Sequence, residues 1–483
     1  MPTLPIAGGF YVSESKPLSS QRCINWIPVV PQTQGALSDR ALFPPPGIEL
    51  SATVTGVNRG SETVSGKAYF INGNTLFEVT SSGASIDRGP IEGTNRVSLA
   101  TNGRYLVIVV PGGKSYVFDN TNNTLVDITD PDFRTASSVV FKDGYFIFSA
   151  SDGSVFFSSA INDPFSYNAL DFASAEVSPD VIVSLHVNHN ELFVAGAETI
   201  ETFQNIGGSA FPFQRIEGAN IQKGVHAPFS VVDFDNSFLF LGGGKDELSA
   251  IWRITGSASA TKISTAAIDN EIQKFTRAEI ENSFAWTYAA GGDFFAGFTF
   301  ESDLIPSKTF VYNVTSSALS GASVWHEMQS GVTDNRWRVN SIVQAYGKLL
   351  VGDSQGGSIG VLKNDVYTDY GETIFRQVAT QPFTGDGLPV FAGQLALTME
   401  AGVGLTTGQG SDPQIRMDFS DDGGFTFSSE FSRGYGPIGK REVVPTWRRQ
   451  GRFPQQRVIR FTTTDPVKTV IIKLEADIDV GYQ

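Results

Sequence analysis

The stretch Lys67-Ala-Tyr-Phe-Ile-Asn-Gly-Asn-Thr-Leu-Phe-Glu-Val79 reads as two short strands joined by a turn, and it returns in variant form along most of the chain. Aromatic and β-branched residues fill each half, and an Asn-Gly step supplies the turn between them. Later copies begin at Arg104 (RYLVIVVPGGKSYVFD), Tyr145 (YFIFSASDGSVFFSS), Glu191 (ELFVAGAETIETFQ), Ser237 (SFLFLGGGKDELSAIWRI), Asp293 (DFFAGFTF, then KTFVYNV) and Lys348 (KLLVGDSQGGSIGVL). Intervals of roughly 37 to 56 residues suit the four-stranded blades of a propeller. A single hairpin cannot bury its apolar face, so the copies must stack, and radial closure protects their edges. The expected class is all-β, a β-propeller of about seven blades. Six is the alternative, because the intervals 238–294 and 294–348 have room for inserted strands.

At 483 residues the chain exceeds one ordinary core, so further domains are expected. Residues 1–47 are rich in Pro and Ser and end in Phe43-Pro-Pro-Pro-Gly-Ile48, which resists helix and central strand alike. They are expected to form an extended arm on a neighbour or on the domain behind it, with Trp26 of Asn25-Trp-Ile-Pro28 as its anchor. The propeller is assigned to 48–368, interrupted by a short helix over Thr265–Phe275, where Ile268, Ile272 and Phe275 fall at helical spacing. Residues 369–483 change texture. Gln394–Glu400, Gln414–Phe419, Arg457–Phe461 and Thr469–Leu474 read as strands of a C-terminal β-sandwich.

A net charge of -15 argues against a surface built to grip nucleic acid. The distribution is uneven: Arg433, Lys440, Arg441, Arg448, Arg449, Arg452, Arg457 and Arg460 face Glu442 alone within residues 431–460. Either these cations pair with acids on adjacent strands or they form a contact surface for an acidic partner. Cys23 is the only cysteine, which excludes an intramolecular disulfide. The opening MPTLPIAGGFYVSESK has no basic region followed by an apolar stretch, so no signal peptide is expected, and no run approaches the length that spans a membrane.

No catalytic constellation stands above chance in the sequence. Pro111-Gly-Gly-Lys-Ser115 lacks the first glycine of a phosphate loop, since Ile108 stands there, and a strand follows it. His186 and His189 sit three apart in an expected strand and point to opposite faces, while His226 and His326 stand alone. Ser420-Asp-Asp-Gly-Gly-Phe-Thr-Phe427 fits the Asp-box pattern, whose Asp422 closes a turn and catalyses nothing. No catalytic, cofactor or metal site is expected.

Residues 197–224 (AETIETFQNIGGSAFPFQRIEGANIQKG) carry a resemblance, joined in order by Gln21-Arg-Cys-Ile-Asn25, Pro46-Gly47, Gly56-Val-Asn-Arg-Gly60, Asp235-Asn236 with Leu241-Gly242, and Lys262-Ile-Ser-Thr-Ala266. The last match is Pro445-Thr-Trp-Arg-Arg-Gln-Gly-Arg452. Together they resemble the packaged-DNA stabilisation, or tail hub, proteins of short-tailed bacteriophages. The resemblance implies a non-enzymatic virion protein of the tail, made in the bacterial cytoplasm and assembled as a homo-hexamer below the portal and adaptor proteins. There it would help close the DNA channel after packaging and carry the tail needle and the tailspikes or fibres, passing DNA without sequence-specific binding. Trp26, Arg441, Trp447, Arg448, Arg449 and Arg452 are the candidate subunit or partner interface, with Trp447 alternatively a core residue. A glycan-binding adhesin and a glycan-degrading propeller enzyme of the tail are the competing readings.

Overall fold

The computed structural model describes residues 2–175, 180–208, 211–256 and 258–481, so positions 209 and 210 of the 197–224 stretch lie outside the described residues. Seven antiparallel sheets stand around one axis as blades. Blade 1 runs Asn58–Val64, Lys67–Asn72, Thr75–Val79 and Ser85–Pro90 from the axis to the rim. The recurring module is therefore the second and third strand of each blade. Blade 7 takes three strands from Val339–Ala345, Lys348–Asp353 and Ser358–Lys363, and its rim strand is Gly47–Thr53, which precedes blade 1 in the chain. That antiparallel pairing, from Lys363 opposite Gly47 to Ser358 opposite Thr53, closes the wheel.

The continuous apolar runs of the module follow from burial on both faces. In Tyr105–Val109, Leu106 and Ile108 pack against blade 1, while Val107 and Val109 pack against blade 3. Alternate side chains serve different neighbours, so no polar face is left. The turns into these strands are equally determined. Ser65-Gly66, Asp143-Gly144, Asp235-Asn236 and Tyr346-Gly347 all have both residues at positive φ, the conformation that two-residue hairpins of matching twist demand.

The two long intervals hold helices rather than strands. Ala266–Ile272 and Arg277–Glu281 lie between blades 5 and 6, and Val314–Ser320 lies before the last strand of blade 6. The Thr265 side chain accepts from the Ile268 amide and caps the first of them.

Residues 2–47 lie on their own chain, and they do so as strands of its sheets. Ala41–Phe43 and Ile27–Val29 extend the sheet of Thr446–Phe453, Val390–Met399 and Ile471–Val480, and Thr3–Leu4 also pairs with Ile471–Val480. Cys23–Ile24 lies between the rim strand of blade 6, Val324–Glu327, and Arg376–Ala379 of the second sandwich sheet, which continues through Gln456–Thr463, Gln414–Ser420 and Phe431–Gly434. One ten-stranded sheet thus runs from the propeller axis into the sandwich. The prolines that forbid a central strand at 44–46 are confined to the step between the sandwich strand ending at Phe43 and the closing strand starting at Gly47.

Candidate functional site

Thr446–Phe453 pairs with Val390–Met399 on one side only and forms the edge of its sheet. Gln394 stands opposite Arg448 and Ala392 opposite Gly451, so Arg449 and Gln450 together oppose Gly393 in a bulge. Arg449 takes φ 59° and Gly451 φ 76° to make it. The bulge breaks strict alternation and leaves both Arg448 and Arg449 in solvent, with Arg452 beyond them over the Phe391 ring at 5.9 Å. Lys440 and Arg441 are exposed in the preceding loop.

The basic run divides between the two expected fates. Arg457 is buried and forks onto Asp421 at 2.6 and 2.7 Å, stacked over Phe419 and Phe453. Arg460 forks onto Asp418 and lies over Phe427 at 3.6 Å. Arg433 donates to the carbonyls of Thr446 and Ser432. Arg441, Arg448, Arg449, Arg452 and Lys440 form no ion pair with any described residue. The unpaired cations share their edge with Phe431, Ile438 and Val444, all exposed apolar side chains that composition alone did not single out.

Neither tryptophan belongs to this surface. Trp447 is fully buried, its Nε1 donates to the Phe431 carbonyl at 2.8 Å, and its ring packs on Phe461. Trp26 is equally buried in the same core, with Nε1 donating to the Thr469 carbonyl at 3.0 Å. Both rings fill the sandwich core, which for Trp447 is the alternative core role, and neither is exposed on the surface of this chain. Trp26 does anchor its segment, though within its own chain. Its neighbour Asn25 donates to the carbonyls of Gln329 and Phe375 and accepts from the Gln329 amide.

Spacing gave no hint of the charge cluster at the junction of blade 6 and the sandwich. Arg22 contacts Glu327 at 2.6 Å and Asp334 at 2.8 Å, and Lys308 meets the same two carboxylates at 3.0 and 2.7 Å. Burial alone would raise the Glu327 pKa, but Arg22 and Lys308 hold it below the usual carboxylate range.

At the axis, the innermost strands of all seven blades line a cavity of about 680 Å³. Its lining mixes apolar side chains with serines and threonines, several of which join adjacent blades: the Ser61 hydroxyl meets Ser341 at 2.7 Å, and Ser98 accepts from the Val139 amide at 3.0 Å. Such a volume suits small molecules and not a nucleic-acid duplex. The histidines are structural. His186 pairs with Asp233 between blades 4 and 5, His189 occupies a turn at φ 50° rather than a strand, and His226 meets Ser249. Burial lowers His226 to about 4 and His326 to about 3. No group of metal-ligating side chains occurs among the described residues. Asp422 accepts from the Ser420 and Thr426 hydroxyls and the amides of Phe425 and Thr426, which draw its pKa down and close the Asp-box turn. Pro111-Gly-Gly-Lys-Ser115 is the hairpin between Tyr105–Val109 and Ser115–Asp119.

A search of curated proteins returned no match. Among solved structures, the extracellular domain of the putative hybrid two-component system BT4673 from B. thetaiotaomicron is 11% identical, covering 68% of this chain and 41% of that one, with TM-score 0.40. The WD40 β-propeller domain of Doa1 is 13% identical over 66% of this chain and 97% of its own, with TM-score 0.38. Likenesses that remote carry no argument. Two family models match instead, the β-propeller of bacteriophage P22 Gp10 over residues 2–367 and the Gp10 β-sandwich over 376–479, and together they span the wheel, the strands that close it and the arginine-edged sandwich. The chain therefore belongs to the bacteriophage P22 Gp10 family of phage structural proteins.

Proposed function

We propose that this chain is a tail hub, set as a homo-hexamer between the portal and adaptor proteins and the tail needle and spikes or fibres, where it helps retain packaged DNA. The observation that carries the reading is the row of unpaired arginines on the outermost strand of the sandwich in an otherwise acidic chain. Residues 48–368 hold 20 Lys and Arg against 34 Asp and Glu, whereas residues 369–483 hold 12 against 14. Such a propeller repels phosphate and suits a wall past which DNA moves. Its axial cavity is too small for a duplex, so the conduit in this reading lies between copies and not through any one wheel.

The test is incorporation. A chain with Arg448, Arg449 and Arg452 all replaced by alanine keeps its fold, because none of the three is buried or ion-paired among the described residues, and fails to enter assembled tails. Normal incorporation of that variant sinks the proposal.

A further inference from the structure

The rim strand of blade 3, Asp163–Ala173, is an edge strand with an unusual break. Phe157 stands opposite Phe172 and Ser159 opposite Tyr167, so Asn168–Asp171 are thrown out of the ladder. The protrusion is held in shape. Asn168 accepts from the Leu170 amide at 3.1 Å, Arg134 donates to the Ala169 carbonyl at 3.3 Å, and the Arg134 guanidinium lies over Phe172 at 4.6 Å. What it displays is apolar: Leu170 is 74% exposed, with Ile161 at 59% and Phe165 and Phe172 at 40% each. Asp163 and Asp171 lie in the same strand and Asp130 accepts from its Tyr167 amide, with Arg134 as the nearby cation. Isolated exposed leucines need no explanation, but a fixed apolar knob flanked by carboxylates on an open strand edge has the make-up of a contact surface.

Its complement is on the same chain. The edge of the sandwich presents Ile438 and Val444 among Lys440, Arg441, Arg448 and Arg449, with Phe431 on the adjoining edge strand of the second sheet and Glu442 as the one acid of that loop, so apolar side chains again stand in a surface of mostly the opposite charge. The sandwich is carried on the rim of blade 6, and blade 3 is on the far side of the wheel. Two complementary surfaces at opposite ends of one molecule cannot meet within it, and they fit a head-to-tail contact between copies.

We propose that the basic edge of the sandwich of one copy docks on the acidic rim strand of blade 3 of the next. This rests on the sandwich edge being a contact surface, and it names the partner as a second copy of this chain. Cys23 is fully buried, so introduced cysteines report without background. A chain carrying both Leu170→Cys and Val444→Cys, oxidised mildly in low salt and also in assembled tails, gives a ladder of disulfide-linked species beyond the dimer. Either cysteine alone gives no ladder. On the double-cysteine chain, Arg448→Glu with Arg449→Glu reduces the ladder about tenfold or more, as does Asp163→Arg with Asp171→Arg, and combining the two reversals restores it. Dimers without longer species, or no cross-link at all, overturn the proposal. If the ladder is absent while the triple-alanine variant still stays out of tails, the edge binds another protein: this inference falls and the hub reading stands. If the ladder forms while that variant enters tails normally, the contact is real and the hub reading falls.

Discussion

Trp447 and Arg448 are adjacent in sequence and opposite in role, and the difference is measurable. The indole fills the sandwich core and satisfies the Phe431 carbonyl, so Trp447→Ala leaves a cavity and an unpaired acceptor and costs about 3–5 kcal/mol. Arg448→Ala stays within about 0.5 kcal/mol, since the side chain is exposed and unpaired. Urea unfolding of both variants checks the contrast, and comparable losses at the two positions would refute it. Glu327 is the other telling residue. Its pKa is lowered in the fold, so its stabilising contribution is present above the ordinary glutamate value of 4.5 and is lost as pH falls through the lowered one. Glu327→Gln leaves Arg22 and Lys308 with Asp334 as their one remaining carboxylate at the junction and costs about 3 kcal/mol at neutral pH. Below about pH 4.5 the gap between wild type and variant narrows. Thermal unfolding against pH reads this directly, and a gap that widens on acidification would contradict the assignment.

At the scale of elements, legibility followed burial. The second and third strands of each blade stood out in the sequence because both faces are packed and nearly every residue is apolar, as in Tyr105–Val109. The inner strand Asn58–Val64, of sequence NRGSETV, carries almost no apolar signal because it lines the polar axis, and it passed unnoticed. The closing strand was hidden for another reason: Gly47–Thr53 pairs with residues some 300 positions later, and no local pattern records that. The candidate surface shows the same division. Composition located the arginine run, but only cross-strand geometry separates Arg457, locked on Asp421, from the unpaired Arg448 and Arg449. Closure also makes an element-scale prediction. A Cβ on Gly357 would lie 1.6 Å from the Val54 carbonyl oxygen, at the end of the closing pair. Gly357→Ala must therefore push the strands apart, at about 2 kcal/mol, with amide exchange accelerated in 47–53 and 358–363 ahead of the other blades. Uniform acceleration around the wheel would show that closure is not local to this seam.

For the whole molecule, the decisive feature is that residues 3–43 and 376–480, which flank the propeller, share one domain. Residues 3–43 add strands to the sandwich and contribute Ile6, Ala7, Cys23, Trp26 and Leu42 to its core before the chain enters the propeller, and residues 376–480 return to complete it. The wheel is closed by a strand that issues directly from that shared segment. The two domains are thus interlocked rather than strung in series. Residues 369–483 expressed alone lack five core side chains and the strands Ile27–Val29 and Ala41–Phe43, so they show no cooperative unfolding transition. The deficit is one of connectivity and can be repaired. Thr3 pairs with Glu475, which leaves about five strand residues, or roughly 17 Å, between the chain's start and Val480. A flexible linker of about ten residues spans that distance, so a permuted chain running 369–483, linker, 1–46 folds cooperatively and recovers near-ultraviolet circular dichroism from Trp26 and Trp447. If the unpermuted fragment folds as well as the permuted one, the N-terminal strands are dispensable and the interlock is not what holds the sandwich together.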